Sequence, residues 1–299
     1  MMHTRDMANN NEMSYCFKQK LLETMKKFDT FCKKFNIEYV AAYGTVIGAV
    51  RHKGLIPWDD DIDVFMDCDN YNKFISLKSK ALSFGCTIFD RRDKGYYLPM
   101  AKFADNLSTI WEHKDLPFIF GVYIDIFPLG FVVDIEESKK MHEKYLYHSK
   151  MITKGCKRFT FSLPYIKYFI KSPLETIQYF KERKRVERHQ LELDKLDSNI
   201  SKIGSGDYRL YYRSMDNFEC SLFKSEWFKS SIIVPFEDFE IPIPIGFDEY
   251  LSTCYGDYMT PPPVEKQVSH HSHYYLNLKE RLSLDEVKDR IKRSETLVY

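Results

Sequence analysis

The chain has 299 residues, 44% of them hydrophobic and 16% aromatic, with a formal net charge of +1. A chain of that length buries about 75% of its unfolded surface, which predicts one large domain or two intimate ones and excludes extensive disorder. Near-neutral charge removes any global attraction to nucleic acid, and seven scattered cysteines without a CxxC pair define neither a disulfide framework nor a zinc site.

In chain order, the opening MMHTRDMANNNEM lacks the apolar core of a signal peptide. From Cys16 to Phe35, apolar Phe17, Leu21, Met25, Phe28, Cys32 and Phe35 recur at three- and four-residue spacing, which predicts a packing helix. IEYVAAY (37–43) reads as a strand, Gly44-Thr45 as a turn, VIGAVRH as a short helix and DIDVFMD (61–67) as a second strand. Asp69 is the expected N-cap of a helix over Tyr71–Phe84 that Gly85 ends. CTIFDRR, YYLPMAKFA and LSTIWEH then predict a strand meander with DKG at a hairpin turn, and GVYIDIFPL (121–129) a central strand. The apolar run Phe118–Val133 carries Asp125 and Pro128, so it reads as buried strand and turn, not as a membrane span.

Beyond Asp134, helical charge-rich segments (135–150 and 174–196) flank the aromatic FTFSLPYIKYFIKS, and residues 154–190 hold ten Lys/Arg against three Glu. Such a surplus is either a solvated helical face or a patch for an anionic or membrane-linked acceptor. SIIVPFEDFEIPIP returns to strands, followed by a helix in FDEYLSTCYGDY and the stop PPP. The fold class expected is α+β: a mixed sheet flanked by helices, with a core over 12–134, a basic helical insertion over 135–230 and a closing segment over 231–299.

The stretch AYGTVIGAVRHKGLIPWDDDIDVFMD (42–67) sets Asp59, Asp60, Asp61 and Asp63 within five positions. Like charges about 4 Å apart repel by several kcal/mol at intermediate dielectric, a conflict that a divalent cation removes. On a strand Asp61 and Asp63 would share one face while Ile62 and Val64 enter the core, an apolar alternation that a solvated acidic loop has no reason to show. Two oxygen ligands with positions left open suit magnesium. An EF-hand fails, since Val64 stands where glycine is required and Asn70 where the bidentate glutamate belongs. Gly44 and Thr45 offer a close backbone approach for phosphate, with Arg51, His52 and Lys53 as cations between turn and aspartates. Any one of these cations also reads as an ordinary surface charge.

This stretch resembles the signature of the LicD/fukutin family of the nucleotidyltransferase fold, as do YIDIFPLG and FDEYLSTCYGDYMTPPP. The likeness is close over 37–67, moderate over 95–130 and 245–263, and undetectable over 136–230; Thr45 departs from the glycine or serine usual there. The resemblance implies a nucleotidyltransferase-like sheet, Mg²⁺ or Mn²⁺ on Asp59, Asp61, Asp63 and Asp125, and Asp61, Asp63 and Asp125 as catalytic carboxylates. It implies transfer of phosphocholine or a polyol phosphate from a CDP-linked donor to a hydroxyl of a glycan or lipid-linked glycan. It also implies a cytoplasmic protein working at the inner face of the plasma membrane.

Lys102 is read either as facing the same pocket or as lying at a sheet edge, and Trp58 as a face for a quaternary ammonium or as packing beneath its loop. His270, His271 and His273 are read as exposed. A nucleotidylyltransferase releasing pyrophosphate, a sugar-nucleotide glycosyltransferase and a non-catalytic glycan-binding module are the rival functions.

Overall fold

The computed structural model describes residues 2–158, 170–214, 218–269, 273–294 and 297–298. The helix expected over 16–35 is α1 (Met2–Lys34), with Phe17, Leu21, Met25, Phe28 and Cys32 buried along one side. Lys33 and Lys34 in its last turn complement the negative end of the helix dipole.

The central sheet contains β1 (Val40–Ala41), β2 (Asp63–Asp67), β3 (Cys86–Phe89), β4 (Ala101–Asp105) and β6 (Tyr123–Val132), in the order β1-β2-β6-β4-β3. Within this sheet β2 and β6 pair in parallel, and β1–β2, β6–β4 and β4–β3 are antiparallel. β6 is the central strand expected from GVYIDIFPL. Its ten residues are almost all buried, since it is hydrogen-bonded on both edges and covered on both faces. The strand IEYVAAY shrinks to two residues, and β5 (Thr109–Trp111) leaves the expected meander to pair with β11 (Tyr275–Asn277).

One sheet face packs on α1 and on α3 (Cys68–Ser76): the Phe28 ring meets Phe74 at 5.9 Å and Phe103 at 5.5 Å. The N-cap of α3 is Asp67, whose carboxylate accepts from the Asn70 N–H at 2.8 Å, and not Asp69, which lies inside the first turn. The predicted 71–84 helix breaks at Leu77 into α3, α4 (Lys78–Ala81) and a 3₁₀ turn, and Gly85 closes it in the left-handed conformation as expected.

Residues 135–200 form α5 (Ile135–Cys156), α6 (Pro173–Arg183) and α7 (Val186–Ile200). The segment after them departs from a purely helical insertion: β7 (Tyr208–Leu210) pairs with the last part of β6 and with β8 (Leu222–Lys224), extending the sheet. The hairpin β9 (Ser231–Phe236) and β10 (Phe239–Pro244) matches SIIVPFEDFEIPIP, and α8 (Phe247–Tyr255) matches the predicted C-terminal helix. Tyr250 on α8 meets Phe65 at 6.3 Å, so α8 helps cover the sheet face opposite α1. Near the end, α9 (Leu284–Lys292) starts with a Ser283/Glu286 capping box, and β12 (Leu297–Val298) pairs with β11. Among the described residues no helix is long and apolar enough to cross a membrane.

Candidate active site

The face of the sheet opposite α1 carries a row of charge. Asp63 opens β2 and pairs in register with Asp125 on β6, and Asp125 pairs in register with Lys102 on β4. Three polar side chains therefore stand side by side across three adjacent strands. The Lys102 ammonium donates to both Asp125 oxygens, at 2.8 and 3.0 Å, and both residues are buried. Of the two readings of Lys102, the sheet edge is ruled out: β4 is an inner strand. Ile62 and Val64 are buried on the other face, as alternation demands.

Asp61 does not sit on the strand as expected. β2 begins at Asp63, so Asp61 belongs to the irregular stretch that descends from the Ile56-Pro57-Trp58 corner. That stretch brings carboxylate oxygens of Asp59, Asp60 and Asp61 within 4.8 Å of one another. Asp60, not among the ligands expected, joins this cluster and accepts a hydrogen bond from the Ser269 hydroxyl. Desolvation pushes the Asp63 carboxyl well above the ordinary range, and the neighbouring Asp61, Asp125 and Asp59 push it further, against the opposing pull of Lys102. Burial raises the nearby Tyr255 phenol, and Asp63, Asp59 and Asp61 add to that shift, so this tyrosine of α8 borders the acidic group.

Gly44 and Thr45 are not a turn. They lie within a short helix, α2 (Tyr43–Ile47), that runs into one π-helical turn over Gly48–His52. The absence of a side chain at Gly44 has a local reason: a Cβ there would stand 2.8 Å from Asp59 Oδ2. Thr45 is buried, and its hydroxyl oxygen accepts from the Asp63 N–H at 2.9 Å, so it fixes the helix to the strand that presents Asp63. Arg51 donates from Nη1 to the Tyr258 carbonyl at 2.5 Å and from Nε to His52 at 2.9 Å. Both side chains flank Trp58, with the guanidinium 5.9 Å and the imidazole 5.8 Å from its ring centre. Trp58 thus packs within its loop against the Arg51 guanidinium and the His52 imidazole. Lys53 adopts a left-handed conformation and turns its side chain to solvent.

The β9–β10 hairpin steadies this loop: Glu237 donates its N–H to the Lys53 carbonyl at 2.7 Å and accepts from the Leu55 N–H at 2.9 Å. On the other side the Lys18 ammonium of α1 donates to the carbonyls of Ile56 and Pro57. His273 packs its ring 5.4 Å from Phe17, while His270 and His271 lie outside the described residues.

The sequence missed the groups that lie behind Lys102. Glu112 accepts hydrogen bonds from the Tyr97 and Tyr123 phenols, one on each carboxylate oxygen, and one of those oxygens is 4.0 Å from Lys102 Nζ. The Lys102 ammonium also lies 3.2 Å from the Tyr123 ring centre. Nothing local marks Glu112, because only the pairing of distant strands brings it to Lys102.

An acidic centre on a mixed sheet, gripped by a short helix that needs glycine beside an aspartate, is the class of site these residues form. Residues 36–178 match the model of the LicD/FKTN/FKRP nucleotidyltransferase domain, and that stretch is a domain of the LicD family. Over 256 residues the chain is 28% identical to the lipopolysaccharide cholinephosphotransferase LicD of Haemophilus influenzae, covering 84% of this chain and 92% of the relative. Over 44 residues it is 48% identical to uncharacterized proteins of Rickettsia prowazekii and Rickettsia typhi, 15% of this chain and 16% and 14% of theirs. The matched domain covers just under half of the chain, and the long alignment is to a LicD-type cholinephosphotransferase.

Proposed function

We propose that the protein is a divalent-metal-dependent phosphotransferase that moves phosphocholine, or a polyol phosphate, from a CDP-linked donor to a hydroxyl of a cell-surface glycan. Lipopolysaccharide is the first acceptor to test, since the long relative is named for it. The observation that carries the reading is the in-register pair Asp63–Asp125 on parallel neighbouring strands, with Asp59, Asp60 and Asp61 converging beside it.

The donor set fits a hard cation. Among the described residues it consists of carboxylates, without thiolate or imidazole, and the repulsion that adds to the desolvation of Asp63 is the kind a divalent ion relieves. Asp59, Asp61 and Asp63 would hold Mg²⁺ or Mn²⁺, with Asp60 at hand through its Ser269 contact and Asp125 completing the set. When bound, such an ion neutralises diphosphate charge and leaves less covalent work for the protein.

The chain's own residues then do the positioning. Thr45 and Gly44 set the distance between the α2 helix and the aspartates, and Glu237 and Lys18 fix the loop that bears Trp58. Asp125, beside Asp63 and paired with Lys102, would either receive the acceptor hydroxyl proton or serve as a ligand of the ion. The basic surplus over 154–190 supports peripheral association with an anionic membrane from the cytoplasmic side, where a lipid-linked acceptor would be presented.

The deciding experiment incubates the purified protein with Mg²⁺, CDP-choline or a CDP-polyol, and lipopolysaccharide, and measures CMP. CMP release dependent on both metal and acceptor is expected. Steady pyrophosphate from a nucleoside triphosphate, with no CMP from any CDP donor, would establish nucleotidylyl transfer instead.

A further inference from the structure

We propose that Glu112 is a positioning residue for the acidic site: it shares the Lys102 cation with Asp125, and so preserves negative charge on Asp125 for a divalent cation. This inference rests on the metal-site reading above.

The geometry is that of one ammonium between two carboxylates. Lys102 Nζ is 2.8 Å from Asp125 Oδ1 and 4.0 Å from Glu112 Oε1. At equal dielectric the second attraction is roughly two-thirds as strong as the first. If Lys102 faced Asp125 alone, the buried pair would be electrically neutral and would contribute little to holding a cation. With Glu112 present, the Asp125–Lys102–Glu112 unit carries one net negative charge beside Asp63.

Glu112 is built for this. Its two oxygens each accept from a phenol, Tyr97 on one and Tyr123 on the other, which satisfies a nearly buried carboxylate without a second cation. Burial would push its carboxyl upward, but Lys102 and the two phenol hydrogen bonds outweigh it and hold the carboxyl below the usual range. The Tyr123 ring under the ammonium removes one side from which water could take Lys102. Tyr123 and Asp125 are i, i+2 on β6, so a single strand aligns the brace with the site.

A merely structural Glu112 would change stability and nothing else, so the test reads metal binding directly. Mg²⁺ is titrated calorimetrically into the full chain for the wild type, Glu112→Gln, Lys102→Met and the double variant, with melting temperatures recorded alongside. Glu112→Gln is expected to weaken Mg²⁺ binding about tenfold, the scale on which outer partners of ligating groups act. In the Lys102→Met background the same change should move affinity by less than about twofold, because Glu112 acts through Lys102.

Equal Mg²⁺ affinity in wild type and Glu112→Gln overturns the inference while leaving the metal site standing, as does an undiminished effect in the Lys102→Met background. No Mg²⁺ binding by the folded wild type overturns the metal reading and the inference together. Should Glu112→Gln fail to fold, Glu112→Asp, which keeps the charge but retracts it by one methylene, serves instead: an intermediate loss supports the role and an unchanged affinity refutes it.

Discussion

Two aspartates in this molecule sit in opposite electrical circumstances. Asp197 on α7 is met by Arg91 at 2.7 Å and Arg213 at 3.0 Å. Burial pushes its carboxyl up, yet the two guanidiniums outweigh that and hold it below the ordinary range. Asp63 on β2 is raised by desolvation and then by three further aspartates, with Lys102 the cation opposing them. Both lie on well-packed elements of the same fold. The difference is that Asp197 is held down by two guanidiniums that bind α7 to the loop after β3 and to the segment after β7, whereas Asp63 is raised by burial among like charges gathered on one sheet face. A buried carboxylate paired with guanidiniums holds elements together; carboxylates crowded on one sheet face form a candidate ligand site.

The comparison breaks most easily at its two centres. Asp63→Asn is expected to slow transfer by about 10³-fold, the range reached when one preorganised electrostatic group is removed. It should leave the metal-free protein as stable as before or more so, because it deletes a repelled charge. Rates of CMP release and urea denaturation of the same preparation check both halves, and a marked loss of stability would make Asp63 a structural group like Asp197.

Asp197→Ala should do the reverse. It takes a carboxylate from both Arg91 and Arg213, which are buried, leaving Arg91 with Asp194, and is expected to cost about 3–5 kcal/mol of stability. Mg²⁺ affinity of the folded fraction should be unchanged. Urea midpoints and calorimetry give the two numbers, and a shift in metal affinity larger than the change in stability would contradict the division.

Much of the acidic centre was legible because its signal is local. Four aspartates in five positions, followed by an alternating apolar run, declare both a charge conflict and a strand within one glance of the chain. Asp125 was legible as one carboxylate inside an otherwise apolar central strand. Alternation alone puts Asp61 on the DIDVFMD strand, but β1 pairs with Val64 and Phe65, and β2 starts at Asp63. Lys102 and Glu112 acquire meaning from the register of β4 against β6 and from two tyrosines that reach Glu112 from other segments, none of which periodicity encodes. The π-helical turn after α2 escaped for a similar reason. It is held by Gly48 against the backbone of Gly54, a contact between positions whose sequence looks like ordinary helix.

Gly44 sharpens the comparison at a smaller scale. An alanine Cβ there would stand 2.8 Å from Asp59 Oδ2, and since that oxygen is the end of a side chain it would swing aside. The expected readout of Gly44→Ala is a several-fold weaker Mg²⁺ titration with an almost unchanged melting temperature. A normal titration would mean that Asp59 is not among the groups that hold the ion.

The smallest effect concerns a third charge cluster, in the insertion, that is neither balanced like Asp197 nor open like Asp63. His148 Nδ1 and His189 Nδ1 lie 2.8 Å apart, and His189 Nε2 meets Glu182 at 2.8 Å. Desolvation lowers the His148 pKa, and His189 and Arg188 lower it further against the pull of Glu192. A histidine depressed in the folded state takes up its proton more readily when unfolded. Its contribution to stability is therefore intact above the unfolded value of about 6.5 and is lost as pH falls below that value toward the depressed folded one. Because His148 is partly solvated, the melting temperature should drop by only about 2 °C across that window. His148→Gln should flatten this part of the pH profile without touching the Mg²⁺ titration. An identical acid slope in wild type and variant would assign the loss to other groups, and a changed titration would join the insertion to the site that the contrast between Asp197 and Asp63 separates.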